Sequence, residues 1–324
     1  MMIRLAFPSA VCALFLASTS ACSPPAGGGN PDDPTPPDAP APTLEQRADL
    51  AYEPPPGVTS ELATLDLYLL PDGELKPLVV LVHGGSWVGG DKDSFDTAAP
   101  DFIPWWTDRG YVAAAVNFRL ATPLGQPQQV APTDQARDIA HALAWLVENA
   151  EEHEIAAEPV VLVGYSSGAH LVALLGANGE YLTEAGLDES RVRATVSLDV
   201  HAYDVPFALQ LMVGSTVEQN IPLIEHLFGD TEEAQLVGSP IAYTDGDVAP
   251  AMLVSVEPSP EDVGSHGYIV SQAAERYAQA LLDAGHVAET FHDSAETHGT
   301  LATGFGADDD PVTEAVGAFL DALP

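Results

Sequence analysis

Seven short apolar runs recur along this chain, most of them separated by enough residues for a helix. They are "ATLDLYLL" (63–70), "PLVVLVH" (77–83), "YVAAAVNF" (111–118), "PVVLVG" (159–164), "VRATVSLDV" (192–200), "APAMLVSV" (249–256) and "VAETFH" (287–292). Several are apolar almost without interruption and rich in β-branched residues, the pattern of strands buried on both faces. The stretches between them carry the helical period instead. Asp134 to Ala150 places Ile139, Leu143, Leu146 and Val147 on one stripe, with Thr133 as the expected N-cap. Tyr268 to Ala284 repeats this through Ile269, Ala273, Tyr277, Ala280 and Leu281, and Gly285 follows where a C-terminal cap belongs. The expected fold class is therefore α/β, a mostly parallel central sheet with helices on both faces. With 324 residues the chain has material for one large core but not for two catalytic domains. Sites in such sheets lie beyond the carboxyl ends of the strands, so the residues that follow each run carry the chemistry.

The fourth run ends in Gly164-Tyr165-Ser166-Ser167-Gly168, a G-x-S-x-G pattern. At about 7 % glycine, it arises by chance in roughly one chain of this length in ten, so its context matters more than its letters. A strand before and a helix after are what a nucleophile elbow requires. Ser166 is then the candidate nucleophile, while Ser167 offers its backbone N–H to an oxyanion. A second glycine motif, His83-Gly84-Gly85-Ser86-Trp87, follows the second run. A glycine-rich turn presents successive amides without side-chain obstruction, which acyl transfer needs for its developing negative charge. Gly85 and Ser86 are the expected donors beside Ser167, and His83, Gly84 and Trp87 shape the loop.

Taken in order, "HGGSW", "VNFRLA", "GYSSGAHL", "YD" at 203–204, "SPIAY" and "APAML" resemble the esterase/lipase branch of the α/β-hydrolases, most of all bacterial carboxylesterases related to arylformamidase. The resemblance spans roughly residues 60–322. It implies an α/β-hydrolase fold with a small cap region, no cofactor, and hydrolysis of a carboxylic ester or related acyl bond. Two positions depart from the family pattern: Phe118 stands where Tyr is usual, and Tyr165 where His is common. In this fold the triad comes in the order Ser, acid, His, so the general base belongs late in the chain. His298, in "DSAETHGTL", is the candidate, with His292 as its rival. His170 reads as a packed core histidine. The acid is expected after "AMLVSV", in "EPSPEDVGSHG", where the family's usual acid-x-Asp step is missing. Asp262 is the expected triad acid, ahead of Glu257 and Glu261.

Composition narrows the partners. Ten Lys plus Arg against 48 Asp plus Glu give a formal charge of −38, with Lys76 and Lys92 the only lysines. A field of that sign repels phosphate backbones, which excludes nucleic acid as a partner. No H-E-x-x-H pattern occurs and "EEHE" at 151–154 reads as a charged helix end, so no metal is expected.

Residues 1–21 have the charge and hydropathy of a signal peptide, and small residues precede Cys22 as in a bacterial lipobox, with Thr19 where that motif usually has Leu. A lipid on Cys22 is favoured over plain secretion. Cys12 would leave with the signal, so Cys22 would have no disulfide partner. Residues 22–45 read as an extended tether, with eight prolines between Ser23 and Thr43. Residues 46–324 form the expected hydrolase domain. A cap insertion at about 201–245, with Tyr203, Phe207, Leu209, Leu211, Met212 and Phe228, is expected to close the pocket. The expected function is a serine hydrolase acting on short acyl or aryl esters. An amide hydrolase like arylformamidase, and a surface-tethered binding protein on an inactive hydrolase fold, are the alternatives.

Overall fold

The computed structural model describes residues 43–156, 159–256 and 263–324. Eight strands form one sheet: β1 (Glu45–Ala51), β2 (Thr64–Leu69), β3 (Leu78–Val82), β4 (Val112–Val116), β5 (Val160–Tyr165), β6 (Val192–Leu198), β7 (Ala251–Val256) and β8 (Ala288–Asp293). Their order across the sheet is β1-β2-β4-β3-β5-β6-β7-β8. Only the pairings that involve β2 are antiparallel. The seven apolar runs correspond to β2 through β8.

Between β3 and β4 lie α1 (Ser94–Thr97) and α2 (Phe102–Asp108), and α3 (Pro132–Glu148) joins β4 to β5. α4 (Ser167–Ala177) and α5 (Glu180–Glu184) join β5 to β6. The long crossing from β6 to β7 holds α6 (Val205–Met212), α7 (Ile221–Phe228) and α8 (Glu232–Val237). α9 (His266–Asp283) precedes β8, and α10 (His298–Gly304) and α11 (Pro311–Ala322) follow it. Successive strand residues point to opposite faces. Leu78, Val80 and Val82 pack with α3, α4 and α9, whereas Val79 and Leu81 pack with α2, α10 and α11. Both faces of the sheet are thereby covered, which is why the strands read as unbroken apolar runs.

Two local expectations are corrected. The expected tether extends to residue 45, yet Glu45 already pairs with Leu69 as the first residue of β1. β1 lies at the edge and none of its residues is fully buried, so it has no hydrophobic signature. Polar contacts hold it instead: the Asp49 N–H donates to Asp66 Oδ1 at 2.7 Å, and Lys92 Nζ lies 2.9 Å from Asp49 Oδ1 and 3.0 Å from Asp66 Oδ1. Thr133 is not the N-cap of α3. Pro132 opens that helix from Ala131, and the Asp134 carboxylate accepts the Ala131 N–H at 2.9 Å.

The "VNFRLA" segment after β4 fastens the glycine loop after β3. Asn117 Oδ1 accepts the Lys92 N–H at 2.8 Å, and the Trp87 carbonyl accepts the Ala121 N–H at 2.8 Å and Gln135 Nε2 at 2.7 Å. Arg119 forks onto Asp138 of α3, with Nε 2.8 Å from Oδ2 and Nη2 2.8 Å from Oδ1. Asp138 is 1 % exposed, so removing it strands a largely desolvated guanidinium. Asp138→Ala is expected to cost about 3 kcal/mol of unfolding free energy in urea titrations. A cost below about 1 kcal/mol, the value of a surface pair, would show that this tie is dispensable.

Candidate active site

β5 ends in a turn that puts Ser166 at φ 54° and ψ −122°, a conformation L-residues rarely adopt. Its own N–H donates to Leu198 O of β6 at 2.8 Å, and its carbonyl accepts the Ala169 and His170 N–H groups of α4. The turn can form only because backbone passes close by. A Cβ on Gly168 would lie 2.1 Å from Val82 O, and one on Gly84 would lie 2.9 Å from Ser166 Cβ. The glycines of both motifs therefore let β3, the elbow and the loop after β3 occupy adjacent space. This is the strand-turn-helix geometry of a nucleophile elbow.

Ser166 lines a cavity of about 250 Å³ together with Ser86, Ser167 and His298. The Ser167 amide is the first of α4 and has no carbonyl one turn earlier in its own helix. Neither it nor the Ser86 amide donates to a backbone carbonyl among the described residues. Both remain available to an oxyanion. Gly85, at φ 132°, is not among the residues that line the cavity. Its carbonyl instead accepts the Val88 and Gly89 N–H groups, so it closes the turn that presents Ser86.

His83 and Trp87 each tie the loop after β3 to its surroundings. His83 is buried, stacks on Phe118 with ring centroids 4.5 Å apart, and donates from Nδ1 to Gly84 O at 2.8 Å. Burial pushes its imidazole below the usual range. Trp87 donates from Nε1 to His170 Nδ1 at 3.1 Å, and His170 Nε2 in turn meets Gly238 O at 2.7 Å. His170 is fully buried, a core histidine as expected.

His298 opens α10, with Thr297 as its N-cap. Tyr165, beside Ser166, donates its hydroxyl to His298 O at 2.5 Å and stacks on the imidazole at 5.1 Å. His298 Nδ1 donates to Asp199 Oδ2 at 2.5 Å, which leaves Nε2 as the acceptor on the ring. The rival His292 is engaged elsewhere, with Nδ1 2.6 Å from Ser255 Oγ and Nε2 2.7 Å from Glu275 Oε1.

Asp199 was not among the expected acids. Asp262, Glu257 and Glu261 lie outside the described residues, and the carboxylate on His298 comes from the end of β6 instead. Asp199 has φ 60° and 0 % exposure. Its Oδ1 accepts the Val256 N–H at 3.0 Å, and its Oδ2 accepts His266 Nε2 at 2.8 Å besides His298. Burial alone would push this carboxyl up, but the two imidazole donors outweigh it and hold it well below the usual carboxylate range. A signal for it was present in the sequence: an aspartate between Leu198 and Val200, on an otherwise apolar strand end, needs donors if it is buried.

Asp199 Oδ2, His266 Nε2 and His298 Nδ1 lie within 4.8 Å of one another, a set that a zinc-like cation accepts. Both imidazole nitrogens lie at hydrogen-bond distance of the carboxylate, 2.8 Å for His266 and 2.5 Å for His298. Of the expected cap residues, Met212 lines the cavity, joined by Val217 and Asn220. Tyr203 stacks on Tyr277 in the core, Phe228 packs against Trp87 and His170, and Phe207 lies under the Arg276 guanidinium.

Residues 65–258 match the BD-FAE family. The chain belongs to that family. The matched span of this BD-FAE protein contains the glycine loop, the elbow and Asp199, and it ends before His266 and His298. Esterase LipQ of Mycobacterium tuberculosis is 24 % identical over 290 residues, covering 86 % of this chain and 62 % of its own length. Ethyl acetate hydrolase of Pseudomonas putida is 37 % identical over 97 residues, 30 % of this chain and 28 % of that enzyme. The chain thus spans less than two thirds of these curated relatives. Among solved structures, esterase B of Lactobacillus rhamnosis superposes with a TM-score of 0.64 at 21 % identity, covering 86 % of each chain. A thermophilic carboxylesterase cloned from a metagenomic library gives 0.65 at 21 % identity, covering 88 % of this chain and 91 % of its own. Both likenesses establish the α/β-hydrolase fold.

His170 gives this BD-FAE protein a defined acid sensitivity. Burial pushes its imidazole down to about 4, whereas an unfolded histidine titrates near about 6.5. Between those values the unfolded chain binds a proton that the folded one refuses, so stability falls as pH drops through this window, by up to about 3 kcal/mol. Asp199 acts with the opposite sign of charge: its contribution is complete above about 3.9 and is lost only below that. Urea midpoints measured from pH 7 to pH 4 should decline, and His170→Asn, which binds no proton, should decline less. Equal slopes would show that His170 is not the group responsible.

Proposed function

We propose that this protein is a serine carboxylesterase that forms an acyl-enzyme from short-chain esters. The observation that carries this reading is the His298–Asp199 pair, 2.5 Å apart, on the wall of the cavity that contains the Ser166 elbow. His298 Nε2 takes the Ser166 proton as Oγ attacks the acyl carbonyl, and Asp199 stabilises the imidazolium that forms. The Ser86 and Ser167 amides receive the oxyanion, with Gly85 holding the turn that aims the first of them. The leaving alcohol departs with the proton from His298, and water then releases the acid by the same steps in reverse roles. The inactive-fold alternative rested only on a missing acid after β7, and a carboxylate already bonded to His298 removes that support.

The cavity, at about 250 Å³, is smaller than the roughly 300–1,000 Å³ usual for ligand pockets, which favours a short acyl group. A likeness to ethyl acetate hydrolase, and to an esterase B structure inhibited by a tributyrin phosphonate, supports the same substrate class. A fluorophosphonate probe should label the wild type and leave Ser166→Ala unlabelled. Asp199→Asn should lower kcat for p-nitrophenyl acetate about 10³- to 10⁴-fold, whereas Asp262→Asn, Glu257→Gln and Glu261→Gln should stay within a few-fold of wild type. Near-normal turnover by Asp199→Asn would return the acid to the loop after β7.

The same reading places the domain outside the cytoplasm, exported by residues 1–21 and held at a membrane through a lipid on Cys22. The proline-rich segment that follows suits a tether. Cys22→Ser should release the protein into the soluble fraction, and an unchanged distribution would favour plain secretion.

A further inference from the structure

Asp199 Oδ2 accepts two imidazole donors, and only one of them belongs to the mechanism derived above. The second, His266 Nε2 at 2.8 Å, comes from the first residue of α9, whose N-cap Ser265 accepts the Tyr268 N–H at 3.1 Å. The His266 ring stands edge-on to His298, with centroids 4.7 Å apart and planes at 68°. It also lines the cavity beside Ile269 of the same helix.

An acid that orients an imidazole needs an anchor other than the imidazole it orients. Oδ1 has one in the Val256 N–H at 3.0 Å. Among the described residues, Oδ2, the oxygen that faces His298, has only His266. The Asp199 backbone, at φ 60°, is in a strained region for a non-glycine residue that persists only where surrounding contacts hold it, and the His266 bond is one such contact. The edge-on contact adds a second restraint, since it blocks rotation of the His298 ring toward α9.

We propose that His266 is a positioning residue for catalysis, locking Asp199 Oδ2 onto His298 Nδ1 and walling the imidazole on one side. This rests on Asp199 being the triad acid. His266 acts through Asp199 and has no covalent or proton-transfer step of its own.

The test is a double-mutant cycle in the full chain, read with p-nitrophenyl butyrate. His266→Ala should lower kcat about tenfold or somewhat more, the scale of one hydrogen bond to a charged group, while KM stays within twofold. His266→Gln, whose amide N–H can reach the same oxygen, should recover most of that loss. In an Asp199→Asn background, His266→Ala should cost less than twofold, because the interaction it would remove is already gone.

Three results would overturn the proposal. They are an unchanged kcat in His266→Ala, a raised KM at unchanged kcat, which marks a substrate contact, and the same fold-loss in both backgrounds. Near-normal activity in Asp199→Asn alone would instead sink the acid assignment, so the two failures are distinguishable. Thermal midpoints of all four proteins separate these outcomes from loss of folding.

Discussion

The close approach of three backbone segments governs the rest of this molecule. The end of β3, the elbow after β5 and the glycine loop after β3 share a space into which no Cβ fits at Gly168, where Val82 O would lie 2.1 Å away. Ser166 and the Ser86 and Ser167 amides are consequently placed by main chain against main chain. Main-chain contacts in a sheet have far less freedom than side-chain rotamers, and the acyl carbonyl must be met to within a fraction of an ångström. The strained dihedrals of Ser166 are held by the same packing, since its N–H is tied to β6 and its carbonyl to α4. Strain of this kind persists only where the surroundings over-determine it.

Much of this was legible in the sequence because it depends on composition at fixed offsets. The strands buried on both faces declare themselves as unbroken apolar runs, and the elbow as a G-x-S-x-G between a strand and a helix. β1 did not, because an edge strand with no fully buried residue follows no hydrophobic period. It is held by Asp49, Asp66 and Lys92, whose pairing depends on three-dimensional proximity. The same applies to the acid. Asp199 lies 99 residues from His298 in sequence, and nothing local to either residue names the other.

The scarcity of cations sharpens this point. In a chain with 48 acidic and ten basic residues, most acids must face water, and no single acid stands out by its type. The cations show where charge is structural. Lys92 is buried beside Asp66, Arg119 forks onto Asp138, and Arg276 holds Asp204, the N-cap of α6, at 2.6 Å. Those three fasten an edge strand, the segment behind the oxyanion loop and the start of the cap crossing. None of them faces Asp199, whose charge is balanced, among the described residues, by imidazole and amide donors alone. A cation at that carboxylate would compete with His298 for it and weaken its support of the imidazolium.

The position of the acid follows from what the triad requires. His298 needs an acceptor at Nδ1 and is indifferent to which strand supplies it. Neighbouring parallel strands are about 4.8 Å apart, so the ends of β6 and β7 present side chains to nearly the same point above the sheet. When the carboxylate comes from β6, the vacated end of β7 still contributes, but with its main chain: Val256 N–H becomes the donor that fixes Asp199 Oδ1. An aspartate on β7 would receive no such amide from its own strand. A carboxylate at the end of β6 reaches His298 with 0 % exposure and three donors. A carboxylate so placed stays ionised through the pH range in which an imidazole base works, which is what an orienting acid must do.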